Sequence, residues 1–136
     1  MIELTLEMAE KAAKAAHEAA KKINKPIGVT VVDESGRVVL SSRGDGAGFY
    51  TIDTSRAKAM ASASFRRSTM DIAKHHDLNP LLWYNMAAVI PGQALTSPGA
   101  VPIIRDGRVI GAIGIGGGAP EEDQACALAG ATAAVT

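Results

Sequence analysis

Aromatic residues make up only 4% of this 136-residue chain. Large rings therefore cannot fill its interior, and close approach of backbone and small side chains must serve instead. There is one cysteine, Cys126, which excludes an internal disulfide and suits a reducing compartment. It sits among alanines on an expected helix, where a thiol reads as a small buried apolar group rather than a nucleophile. Net charge is also missing: fourteen basic residues balance fourteen acidic ones, with no basic block. That removes broad attraction to nucleic acid or to an anionic membrane surface as a binding mode. No apolar run reaches bilayer length, and the start, Met1 to Glu7, lacks a basic region followed by an apolar one, so we expect a cytoplasmic protein. What is present is 47% hydrophobic residues and 14 glycines, enough for one domain over residues 1–136 with one core. A neutral surface rich in small residues favours self-association, and a homo-oligomer is expected.

The chain is organised around Val101 to Gly118. Two apolar, β-branched runs flank Asp106-Gly107, a dipeptide that accepts the positive φ angles of a tight hairpin turn. This hairpin should lie in the middle of the sheet. Its second strand carries Gly111, Gly114 and Gly116, which leave one face without side chains where a helix, a subunit or a ligand can come close. We expect the ribbon from Gly111 to Gly118, roofed by Arg43 to Asp45, to leave room for a guest molecule.

A first helix is expected after Thr5, its cap, with Glu7 at its positive end and Lys21, Lys22 and Lys25 at its negative end. At about 100° per residue, Leu6, Ala9, Ala13, Ala16, Ala20 and Ile23 form its buried stripe. His17 falls at the edge of that stripe, where it can meet a subunit or a bound metal, although a lone imidazole is more often simply half-buried. A second hairpin follows, Ile27 to Arg43, with Asp33 and Gly36 in the turn. The loop Gly44 to Tyr50 leaves the sheet where binding groups tend to sit, and Arg43 and Asp45 can both face a ligand there. Asp53 or Thr54 should cap a helix ending near Phe65, and Ser68 another that runs through His75 and His76. Those adjacent histidines point about 100° apart and make no metal motif. Asn79-Pro80 should open a short helical turn, Met86 to Ile90 a strand, and Pro120 a final helix. Glu121, Glu122 and Asp123 occupy the positive end of that helix, so a phosphate there would meet like charge. The order predicts an α+β fold, helices covering an antiparallel sheet of about five strands.

From Thr5 to Gly130 the chain resembles the GlcG/HbpS family, also called the haem-degrading domain family and found as the C-terminal domain of PduO-type proteins. Val32-Asp33-Glu34-Ser35-Gly36 resembles its first turn, Arg43-Gly44-Asp45-Gly46-Ala47 its Arg-Met-Asp-Gly-Ala loop, and Lys58-Ala59 its helical Lys-Ala pair. Asp106-Gly107 through Gly111-Ala112-Ile113-Gly114, then Gly117-Gly118, Pro120, Glu121 and Asp123, carry the rest. Three positions depart from the pattern: Gly44 stands for methionine, Ala100 for a glycine, and Gly116 for the serine of a Ser-Gly-Gly turn. The last change removes a hydroxyl that could bind a metal or donate a hydrogen bond.

The resemblance implies a profilin-like α/β/α sandwich that assembles into dimers or larger oligomers, with a small-molecule pocket that holds haem in some members. Applied to this sequence, it makes His17 the candidate iron ligand and gives Arg43, Arg56 or Lys58 the propionates. Phe65 and Ile115 would contact the ring beside Gly116 and Gly117. The competing expectation is catalysis on a small polar metabolite, with Lys58 or Arg43 stabilising negative charge and Asp45 transferring a proton. A third is an oligomeric scaffold without chemistry.

Overall fold

The computed structural model describes residues 2–136. Six helical segments and four strands follow in the order α1 (Leu6–Lys22), β1 (Gly28–Asp33), β2 (Val38–Arg43), α2 (Thr51–Phe65), α3 (Thr69–Ala73), α4 (Pro80–Trp83), α5 (Met86–Val89), β3 (Ala100–Arg105), β4 (Arg108–Gly116) and α6 (Pro120–Ala134). The fold is α+β, a single antiparallel sheet of order β2-β1-β4-β3 between helices. None of these helices is long and apolar enough to cross a membrane.

The predicted caps form. Thr5 Oγ1 accepts the Met8 N–H at 3.2 Å, Ser68 Oγ the Asp71 N–H at 3.2 Å, and Asn79 Oδ1 the Leu82 N–H at 3.4 Å. Helix α2 differs: it begins at Thr51, with no side-chain cap at Tyr50, and Asp53 and Thr54 lie inside its first turn. In the first hairpin, Asp33 Oδ1 accepts the N–H groups of Ser35 and Arg37, and Gly36 sits at φ 82. Asp106 and Gly107, at φ 52 and 76, turn the second hairpin as the dipeptide suggests.

Two expectations about the sheet are corrected. It has four strands rather than five, because Met86–Val89 is a helical turn. Met86, Ala87 and Ala88 are good helix formers, and a run with only two β-branched residues has little strand preference to set against them. The Val101–Gly116 hairpin is not wholly central either. Strand β4 lies inside the sheet beside β1, whereas β3 is an edge.

Strand parity divides the core. Val29, Val31, Ile113 and Ile115 face α1 and α6, joining Ala9, Ala12, Ala13, Ala16 and Ala127 in the main cluster. Val32 and Ala112 face α2 and pack on Ala59 and Ala63. The glycines of β4 explain how an interior without rings closes. A Cβ on Gly114 would strike the Ser55 carbonyl and the Ala59 backbone, and one on Gly116 would lie 2.5 Å from Thr54 Oγ1. The side-chain-free stripe is therefore filled by helix α2 and leaves no room for a guest.

Candidate functional site

The residues singled out from the sequence separate into three places. The first is closed. From α2, Lys58 Nζ reaches past the end of β4 to the Ile115 carbonyl at 2.9 Å and to Asp123 Oδ2 at 3.3 Å. The other Asp123 oxygen accepts the Gly118 N–H at 2.9 Å. Side-chain exposures of 9% for Lys58 and 3% for Asp123 leave the pair out of solvent. Burial pushes the Asp123 carboxyl above its ordinary pKa, against the pull of Lys58 and the Gly118 N–H. This network ties α2 to the start of α6 across the end of the sheet. Asp123 and Glu122, which accepts the Ala119 N–H at 2.8 Å, already satisfy the N–H groups there. Ile115 is fully buried in the core and Gly116 lies against α2. Only Gly117 of that turn is exposed.

The second place is the outer end of α2. Arg56 Nη2 donates to the Gly92 carbonyl at 2.6 Å, and Phe65 meets Trp83 edge to face at 5.3 Å. His76 stacks on Trp83 and its Nε2 lies 2.9 Å from Thr96 Oγ1. A shallow groove of about 350 Å³ runs beside them, lined by Tyr84, Met86 and Leu95 among others. Neither Arg56 nor Phe65 lines it.

The third place is open. His17, on the sheet side of α1, lies half-buried in a cleft of about 330 Å³ between the end of α1 and the loop after β2, lined also by Lys21, Asn24, Lys25, Pro26, Ile27, Gly44 and Asp45. That volume falls within the range of small-molecule sites. Ser42 Oγ holds His17 Nε2 at 2.8 Å. Burial, with Lys21 one helical turn on, pushes the imidazole below its usual pKa of 6.5. Both causes favour the neutral ring, the form that ligates metals. Glu122 is 3.8 Å from Lys25 at the rim.

Of the predicted residues, then, only His17 and Asp45 share a cavity. Arg43 stands opposite Gly28, whose missing side chain would meet Thr51 of α2. Opposed residues in a ladder point to the same face, so Arg43 leaves the sheet on the face away from His17. The constellation Asp45, Lys58 and Arg43 does not assemble within this chain. Sequence reasoning missed Ser42, Lys21 and Lys25. The lysines carried a signal, since Lys21 is four residues after His17 on α1. Among the described residues, no group of three or more His, Cys, Asp or Glu gathers to hold a metal ion.

A family model described as haem-degrading protein HbpS-like matches residues 4–132. Protein GlcG of Escherichia coli K12 is 30% identical over 113 residues, 82% of this chain and 80% of GlcG. The crystal structure of an HbpS double mutant from Streptomyces reticuli superposes with a TM-score of 0.86 at 36% identity, covering 97% of this chain and 87% of that one. A crystal structure of a PduOC–haem complex gives a TM-score of 0.81 at 25% identity, covering 96% and 94%.

Proposed function

As the chain belongs to the HbpS-like family of haem-degrading proteins, we propose that it binds haem or a related tetrapyrrole at the His17 cleft. The observation that carries this reading is a half-buried imidazole, oriented by Ser42 and with its pKa lowered by burial and Lys21, that lines a cavity. A hydrogen bond to one ring nitrogen fixes the orientation in which the other can ligate. The residues present suit the group. His17 would offer a ring nitrogen to the iron, and Lys21 and Lys25, which line the same cleft, would pair with propionates. Arg56 and Lys58 are engaged elsewhere, which moves the propionate role from those residues to the two lysines. Haem, when bound, brings the ligand and redox chemistry of its iron. The protein's part is to bind it, orient it and limit its exposure.

Self-association belongs to the same reading. Leu78, Leu81, Leu82, Tyr84 and Val89 are exposed on and around α4 and α5, and such a patch is better covered by a second copy than by water. A profilin-like sandwich and a cytoplasmic setting, which suits the unpaired thiol of Cys126, complete the proposal.

Titration with hemin tests it. A Soret band should grow, saturate, and be lost in His17→Ala, while the native mass is a multiple of 14.0 kDa. No spectral change with the wild-type protein, or an unaltered band in His17→Ala, overturns the assignment.

A further inference from the structure

We propose that Gly44 is a specificity-determining residue of the cleft: carrying no side chain, it leaves Nδ1 of His17 open as the nitrogen that meets the ligand, while Ser42 acts as the positioning residue behind Nε2. The proposal rests on the haem reading of the cleft and extends it to a named atom.

An imidazole offers two nitrogens, and here they differ. Nε2 is 2.8 Å from Ser42 Oγ. No hydrogen bond to Nδ1 forms among the described residues, yet no fully buried side-chain polar atom there lacks a partner. Nδ1 is therefore not fully enclosed, and the side of the ring it occupies borders Gly44. A neutral ring carries a single N–H. With that hydrogen donated from Nε2 to the Ser42 hydroxyl oxygen, Nδ1 presents a bare lone pair to the cleft. A lone pair of this kind is the partner for an electron-pair acceptor such as haem iron, and the flanking Lys21 and Lys25 suit an acceptor that bears carboxylates.

Glycine at 44 is not demanded by the backbone. Gly46, two residues on, has φ 89 and needs the freedom of glycine, but Gly44 lies outside the positive-φ region. What its missing side chain supplies is space. A Cβ there would stand 3.4 Å from His17 Nδ1 and 3.5 Å from Cε1, with the Ile27 carbonyl at 3.1 Å. Alanine thus fits after a shift of a few tenths of an ångström, whereas a longer side chain starts in contact with the edge that Nδ1 shares with Cε1.

The experiment reads the ring before any ligand is added. In ¹⁵N NMR of the ligand-free protein at pH 7.5, His17 should show the tautomer protonated on Nε2, and Ser42→Ala should mix the tautomers without unfolding the chain. Carbethoxylation by diethyl pyrocarbonate, mapped by peptide mass, should slow at least tenfold at His17 in Gly44→Leu, with His75 and His76 as internal controls. Hemin affinity should fall at least tenfold in Gly44→Leu and less in Gly44→Ala, which keeps the test interpretable should leucine disturb the loop. A wild-type ring protonated on Nδ1, or equal carbethoxylation of His17 in the wild-type protein and in Gly44→Leu, overturns the proposal. If the wild-type protein takes up no hemin, the haem reading fails separately, and the tautomer and carbethoxylation still decide which nitrogen is open.

Discussion

Two titratable side chains of this molecule end beside a glycine, and their fates are opposite. Lys58 extends to Gly99, where a Cβ would lie 3.0 Å from its Nζ, and His17 to Gly44, where a Cβ would lie 3.4 Å from its Nδ1. At the first site every group is answered: carbonyl, carboxylate and amide N–H close a buried network. At the second, one ring nitrogen is held by Ser42 and the rest of the ring faces a cavity. Gly99, at φ 130, is required by its backbone, whereas Gly44 is not. A cation in the interior is thus no sign of chemistry when its partners complete it. A neutral imidazole left incomplete is the better candidate.

The sharpest way to break the comparison is to open the closed site. Removing one partner of a buried pair leaves the other charge unpaired, which costs about 3–5 kcal/mol. Lys58→Ala and Asp123→Ala should each lose stability on that scale in urea unfolding. The double variant Lys58→Met with Asp123→Leu should recover most of the loss, because two apolar groups need no partners. A loss in the double variant equal to the sum of the two single losses would mean that Lys58 and Asp123 act independently. Next in size is the glycine contact on the sheet. Gly114→Ala drives a methyl group into the Ser55 carbonyl, an overpacking that should cost about 1–3 kcal/mol. Hemin uptake at the distant His17 cleft should persist in the fraction that remains folded. Loss of uptake with the fold intact would put the cleft on the α2 face after all.

Local chemistry was readable from the sequence wherever it was complete within a few residues. Thr5, Asp33-Gly36, Ser68, Asn79-Pro80 and Asp106-Gly107 each specify a cap or turn through their own backbone, and each forms. The stripe on α1 was right for Ala9, Ala13, Ala16 and Ala20, but Leu6 and Ile23 at its ends are exposed. Long-range pairing was not readable. Lys58 finds Asp123 65 residues away, and no periodicity joins the two. The glycines of β4 announced close approach without saying what approaches, and helix α2 proved to be the answer. Arg43 and Asp45, adjacent but for Gly44, were expected to act together. The last residue of β2 and the following loop send them to different sides.

The smallest effect separates the two sites by pH. Burial, reinforced by Lys21, holds His17 below 6.5 in the fold, so on acidification the unfolded chain takes up this proton first. Stability then falls as pH drops below about 6.5, the ordinary imidazole value, and the loss levels off once the folded ring also protonates. For Asp123, whose carboxyl is pushed up from 3.8, the folded form binds the proton first and stability falls as pH rises through the window just above that value. The slopes have opposite sign. Comparing urea unfolding of the wild-type protein with His17→Gln between pH 7.5 and 5.5 isolates the histidine: the wild-type protein should lose more stability than the variant over this range, by a modest amount because the ring is only half-buried. The same protonation occupies the nitrogen proposed for the ligand, so hemin affinity should weaken over the same interval. A wild-type protein that gains stability relative to His17→Gln on acidification would mean that a carboxylate, with Asp45 the nearest candidate in the cleft, pairs with His17 and closes this site as Asp123 closes the other.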